Sequence, residues 1–299
     1  MFRVQVVPAV IRKAYLSRKF KRRNRSIFGD FTLTFFLGIF GLFSVWPLIF
    51  IINNAFKPLN EIFIFPPNLF VQNPTMTNFQ DLLIIIGNSW IPMSRYLFNT
   101  LFLTAAGTAG TVIIGSMAAF PLAKYVFPGS KTMSKLIVYS LMFNGTVTAL
   151  PNYVIMSKLN MIDSYWAVIL PSIGGTLGLF LMLNFMVQVP DALIEAAKID
   201  GASEFTIFWR VMMPLSKAAW ITLIILSFQN FWGTTGGGFI LSEKLKPISY
   251  ALSQIVNAGV ARTGVASAVT LIMLVVPVAV FIFSQSNVIQ TMATTGIKE

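Results

Sequence analysis

Asn144, Thr148 and Asn152 recur four residues apart in a chain that is 56% hydrophobic. On a helix that spacing sets two amides and a hydroxyl along one face. Such groups donate and accept hydrogen bonds without carrying charge, which suits a solute rich in hydroxyls. Asn184 and Gln188 repeat the interval, Gln229 and Asn230 stand beside Trp232, and Asn287 and Gln290 follow near the C-terminus. A tryptophan among amides adds a flat plate on which such a solute can stack. The competing reading is structural, because amides in apolar helices also bond neighbouring helices at about 1 kcal/mol each. On sequence alone both readings stand.

Covalent chemistry has far less to work with. The chain contains no histidine and no cysteine, so the commonest general base and the commonest metal ligands are missing. No Asp, Glu, Lys or Arg sits in the middle of an apolar run, and ion-coupled carriers use such groups as relays. There is no G-x-x-x-x-G-K-[ST] loop for nucleotide, and "GGTLG" at Gly174 to Gly178 has no strand before it. A chain of this kind binds no cofactor and hydrolyses no ATP by itself. Any uphill transport draws its energy from another subunit.

The elements that would carry these residues are membrane helices. Only 11% of the 299 residues are charged and the mean hydropathy is +0.74, against about 25% charged in a soluble domain. Six runs reach the roughly 20 apolar residues that a span needs: 31–53, 96–123, 136–157, 165–187, 218–240 and 264–284. The fifth is interrupted at its outer end by "GTTGGG", Gly233 to Gly238. The fold class is therefore all-α and polytopic. Residues 1–30 form a basic N-terminal segment and 31–93 the first span with an outer loop. Residues 94–299 form a core of five spans. The segment 54–95 is rich in Pro and Asn and reads as loop with short helices.

The net charge of +12 is unevenly placed, with nine basic residues and no acid before Asp30. With the N-terminus inside, sixteen basic residues fall on inner segments and six on outer ones, so the bias favours N-in, C-in. The partner of this charge is a lipid surface, not nucleic acid. Gly107, Thr111 and Gly115, four apart, read as a small-residue packing face.

One inner segment, 188–216, breaks the pattern with "IEAAKIDGASEFTIFWRVMMP", Ile194 to Pro214. Asp191 is placed to cap a first short helix, Gly201 to stop it in the left-handed conformation, and Ser203 to cap a second. Phe205, Phe208 and Met212 would then make one apolar ridge. An exposed ridge on an inner loop marks a docking site; the alternatives are a helix lying on lipid or a loop packed on its own helix ends.

Glu195-Ala196-Ala197, Asp200-Gly201-Ala202 and Pro214-Leu215 resemble the "EAA" signature of ABC-importer permeases. "FNTLFLTAAGTA" (Phe98 to Ala109), "AAFPLAKYVFPG" (Ala118 to Gly129), "MIDSYWAVILP" (Met161 to Pro171) and "TTGIKE" (Thr294 to Glu299) are similar to the carbohydrate-uptake branch typified by the maltose permease pair. The basic start and Pro/Asn-rich outer loop look closest to the subgroup for complex or acidic oligosaccharides, including alginate. The "NFWGTTGGG" segment departs from the branch's usual Trp-Asn.

The resemblance implies a type I ABC-importer permease of the bacterial inner membrane. Its partners would be a cytoplasmic ATPase dimer that holds the ATP and Mg, a homologous second permease and an extracytoplasmic solute-binding protein. It implies that Glu195, Ala196, Ala197, Asp200, Gly201, Ala202, Phe205, Phe208 and Pro214 form the ATPase joint. An oligosaccharide path would run past Asn144, Thr148, Asn152, Asn184, Gln229, Asn230 and Trp232. The rivals are an ion-coupled carrier, which lacks its buried carboxylates, and a non-transporting membrane scaffold.

Overall fold

The computed structural model describes residues 27–295 except 67, 88–89, 144, 258 and 260–261, with no side-chain description for Ile27 or 286–295. Asn144, and the side chains of Asn287 and Gln290, therefore lie outside the described residues, as does most of the "TTGIKE" tail. Every regular element among the described residues is helical. The chain falls into two compact units, one up to Phe50 and a second beginning at Ile51.

The first unit is most of α1 (Ile27–Phe56). It is apolar all round, with Phe28, Phe31, Phe40 and Phe43 exposed, as expected of a helix whose solvent is lipid.

The second unit holds α2 (Leu59–Ile62), α3 (Thr77–Gly87), α4 (Met93–Lys124), α5 (Ser130–Ser140) and α6 (Gly145–Lys158). It continues with α7 (Trp166–Ile173), α8 (Thr176–Val187), α9 (Asp191–Ile199), α10 (Glu204–Ile207) and α11 (Met213–Leu215). It closes with α12 (Lys217–Gly233), α13 (Ile248–Val256) and α14 (Thr263–Thr295). At its centre α4 packs on α7, α8 and α12, and α12 on α14.

Glycines set how closely these helices approach. A β-carbon on Gly107 would lie 2.3 Å from the Phe231 ring, one on Gly110 would lie 2.5 Å from Ile173, and one on Gly178 would lie 2.8 Å from Leu223. The small-residue face expected at Gly107, Thr111 and Gly115 is thus a packing face, with Gly107 against α12. Thr111 turns its hydroxyl back to the Gly107 carbonyl at 2.8 Å. Without a hydrophobic drive between helices in lipid, such close packing is what holds them together.

The six expected spans are realised less regularly than their composition suggests. Among the described residues four helices are long and apolar enough to cross a membrane: Phe28–Phe56, Met93–Lys124, Trp166–Val187 and Thr263–Gln285. The pair Glu204–Leu215 and Lys217–Gly233, bent by 81° at Ser216, makes a fifth if the two are taken as one span. The expected span 136–157 is two shorter helices, α5 and α6, broken between Ser140 and Gly145. The chain turns at Leu141 and Met142 although both are apolar, and the second helix restarts at Gly145, so the apolar run is not one helix. The expected 218–240 span ends at Gly233, because Gly236 and Gly237 take positive φ of 78° and 49°. Beyond it, α13 forms a further helix in a segment for which the sequence reading named no element.

Orientation is directly testable because no native cysteine competes for label. Ser203→Cys should react only with thiol reagent supplied from the cytoplasm, and Asn73→Cys only from outside; both positions are exposed. Labelling of Ser203→Cys from outside would invert the whole arrangement.

Candidate functional site

Two places collect the residues singled out by sequence. The first is the elbow from Asp191 to Leu215. Helix α9 ends as expected at Gly201, whose φ is +76°. There the Ala202 amide donates to Ala197 O and the Gly201 amide to Lys198 O, each at 3.0 Å. This paired closure satisfies carbonyls that the helix end would leave open. Ser203 caps α10 as expected, accepting from the Thr206 amide at 3.3 Å.

Asp191, by contrast, lies in the first turn and does not cap; Pro190 occupies the cap position. The Asp191 carboxylate instead meets the Lys124 ammonium at 2.8 Å. Lys124, whose side chain is only 3% exposed, also donates to the carbonyls of Val187 and Val189. One lysine at the end of α4 therefore gathers the exit of α8 and the start of the elbow.

The expected ridge of Phe205, Phe208 and Met212 does not form one exposed face. A π-turn over Phe208–Met212, closed by the Met213 amide on Phe208 O, interrupts the α-register. Phe208 (3% exposed) and Met212 turn inward with Ile194 and Ile207 onto Phe120, Met182 and Met186. Phe205 alone of the three stays out, 65% exposed, with its ring against Trp209. Glu195, Ala196, Asp200, Gly201 and Pro214 are exposed, while Ala197 and Ala202 are half-buried and pack toward the core. Ile199, which sequence reasoning passed over, is 86% exposed at the tip.

A charged brace joins the two elbow helices. Lys198 Nζ lies 2.9 Å from Glu204 and 4.6 Å from the centre of the Tyr125 ring, and the Tyr125 hydroxyl donates to Glu204. Bonding to Glu204 pushes the Lys198 pKa above its ordinary value. Its contribution to the brace is thus full below that ordinary value and is lost as pH rises through the raised one. The elbow is a braced outward wedge, seated on the inner ends of α4 and α8.

The second place is a recess of about 510 Å³. Thr148, Asn152, Ser172, Asn230, Thr234 and Thr235 line it, with Phe239 at its edge tilted against Tyr153 at 6.1 Å. Three of the candidate path residues, Thr148, Asn152 and Asn230, therefore share one wall system drawn from α6 and α12.

The other candidates lie elsewhere. Asn184 is exposed and bonds its own helix at Phe180 O, 2.8 Å. Gln229 is exposed and does not line the recess. Trp232 stacks on Phe228, donates to Met273 O at 3.2 Å, and lines a larger apolar groove between α4 and α12. At about 100° per residue, positions 229, 230 and 232 cannot share a helix face. The larger groove, about 880 Å³, is walled mainly by aromatic and aliphatic side chains, with Thr104, Thr108 and Lys217 its few polar ones, and offers a polyol less to bond than the recess does.

Sequence reasoning missed the polar struts that shape the recess. Asn99, fully buried, donates to Lys244 O at 2.9 Å and Lys246 O at 2.8 Å and accepts from the Tyr165 hydroxyl at 2.6 Å. Asp163 accepts from the Leu241 and Ser242 amides at 2.9 and 2.7 Å and from the Ser242 hydroxyl. These bonds, first that of the Ser242 hydroxyl, hold the Asp163 carboxyl below its ordinary pKa. The polar residue in "FNTLF" was the available signal for Asn99; nothing local marks its partners, 66 to 147 residues away.

The model for the binding-protein-dependent transport system inner membrane component matches residues 111–293. The chain belongs to this family. It is 30% identical over 229 residues to the polygalacturonan/rhamnogalacturonan transport system permease protein YtcP of Bacillus subtilis (strain 168), covering 76% of this chain and 78% of the relative. The arabinooligosaccharides transport system permease protein AraQ of the same organism is 27% identical over 268 residues, covering 89% and 95%. In fold it resembles a crystal structure of a bacterial ABC transporter involved in the import of the acidic polysaccharide alginate. There the TM-score is 0.75 at 21% identity, over 89% of this chain and 98% of the other.

The family member is a multi-pass transport subunit of the bacterial inner membrane, not an enzyme; ATP hydrolysis belongs to a separate subunit. It works with an ATPase, a second permease and a binding protein. The ion-coupled and scaffold readings give way to this one. No cluster of acidic, histidine or cysteine side chains among the described residues could hold a metal.

Proposed function

We propose that this permease conducts an oligosaccharide past the recess of Thr148, Asn152 and Asn230, and that the elbow from Asp191 to Leu215 receives the ATPase. The observation that carries the solute reading is the recess itself: amides and hydroxyls converge beside an aromatic edge, with no charged side chain among the described residues that line it. That matches the chemistry of a sugar backbone, and the sugar polymers named for the relatives support it. A homologous partner permease would supply the facing wall of that path. For the elbow, the exposed side chains of Glu195, Ile199 and Phe205 support a docking face. The buried Phe208 serves it from beneath.

Losing one amide–hydroxyl bond costs roughly 0.5–1.5 kcal/mol, about two- to tenfold in rate. Asn152→Ala and Asn230→Ala should each lower uptake by that factor in the reconstituted importer, with basal ATP hydrolysis and assembly unchanged. Lys244 is exposed in the segment that follows the recess-lining residues Gly236, Gly237 and Phe239, whereas Lys246 is buried, its ammonium 4.4 Å from the Tyr250 ring centre. Lys244→Gln should therefore weaken uptake of an acidic sugar and leave a neutral one untouched. Wild-type transport by both asparagine variants would place the path on the partner subunit.

A further inference from the structure

The outer segment after α1 has its polarity reversed. Lys57 is 2% exposed and gives its ammonium to Asn68 O, while Glu61, 5% exposed, accepts the amides of Gln72 at 2.8 Å and Asn73 at 3.3 Å. Asn53 accepts the Val71 amide at 3.0 Å, and Thr75 donates to Phe56 O at 2.8 Å. Asn78, buried, donates to the carbonyls of Ala55 and Lys57 at 2.9 and 2.8 Å. The charged and amide groups are thus spent internally, pinning both ends of the loop to the last turn of α1. What the loop turns outward is Phe63, Ile64, Phe65, Leu69 and Phe70, each at least 48% exposed and Phe65 92% exposed. From Ile62 to Gln80 there is no charged residue.

A soluble surface does not arrange itself this way. Burying a lysine and a glutamate is costly unless each is bonded, and a contiguous exposed apolar patch marks a contact surface. In the chain the patch follows directly on the last turn of α1, the helix long and apolar enough to cross a membrane. We infer that this loop is an interfacial anchor, its phenylalanines set into the outer leaflet of the bilayer. The buried Lys57 and Glu61 are the struts that hold the loop in that pose, and the bilayer covers its apolar tip. An anchor so placed fixes the height of the outer end of α1 in the membrane, and it rests on the N-in orientation argued above.

The absence of native cysteine makes the test clean. Phe65→Cys and, separately, Phe70→Cys would be labelled with an environment-sensitive nitrobenzoxadiazole dye in the assembled importer. The complex would sit in nanodiscs of phosphatidylcholine and phosphatidylglycerol containing lipid nitroxides near the headgroup. Asn73→Cys, on the exposed polar side of the same loop, is the control. Both phenylalanine positions should show blue-shifted emission and quenching about threefold or more above the control, as for groups some 5–10 Å into the interface. Water-like emission without quenching would overturn the anchor. So would blue-shifted emission that lipid nitroxides do not quench, since protein would then cover the patch. Emission that shifts only when the solute-binding protein is added would also overturn it, assigning the surface to that partner.

Discussion

Gly107→Val should abolish assembly of the permease. A β-carbon at Gly107 would stand 2.3 Å from one atom of the Phe231 ring and 2.5 Å from two others, far inside any real contact. The ring cannot step aside, because Phe231 is 1% exposed within a cluster of Leu103, Val168, Ile169 and Ile240. Overpacking a tight core costs about 1–3 kcal/mol, and more where nothing yields. The strain falls on the α4–α12 contact, which holds the centre of the bundle together. Yield in the membrane fraction and the thermal midpoint of the purified complex are the measurements. Gly38→Val, at a position with open space around it, is the control and should leave both unchanged. Shrinking the opposing ring, as Gly107→Ala with Phe231→Leu, should recover much of what Gly107→Ala loses alone, because residues in contact couple. A stable Gly107→Val protein would mean that α4 and α12 do not approach this closely.

Gly201→Leu should leave the protein inserted and assembled but cut solute-stimulated ATP hydrolysis to near its basal rate. Space is not the obstacle, since no atom lies within 4 Å of where a β-carbon would go. The obstacle is the φ of +76°, which costs a branched or bulky residue about 1–2 kcal/mol and favours another end for α9. Moving that end swings Ile199 and Phe205 away from the face we assign to the ATPase. Asn tolerates the left-handed conformation, so Gly201→Asn should keep most of the stimulation. Equal loss in the Leu and Asn variants would argue that the turn's conformation is irrelevant. Full stimulation in Gly201→Leu would remove the elbow from the coupling role.

Much of this molecule was legible from local features. Lipid embedding follows from composition, because too few charged residues exist to coat a water-facing surface. The stop at Gly201 and the cap at Ser203 follow from backbone sterics and one side-chain bond, each set within a few residues. What failed were readings that treated a helical wheel as if nothing interrupted it. The π-turn moved Phe208 and Met212 off the line of Phe205. The break after Ser140 divided an apolar run whose composition alone read as one span.

Only the tertiary structure decided which polar residues meet. Asn152 and Asn230 share a recess, while Gln229 and Trp232, one and two residues from Asn230 in sequence, do not line it. Lys124 and Asp191 are 67 residues apart and pair because α4 and α8 end together; Asn99 reaches partners about 145 residues away. Such pairings depend on how helices cross and how closely glycines let them approach, and that is a property of the packed bundle. A sequence sets the period of each helix face; the direction that face looks is fixed only when its neighbours have closed around it.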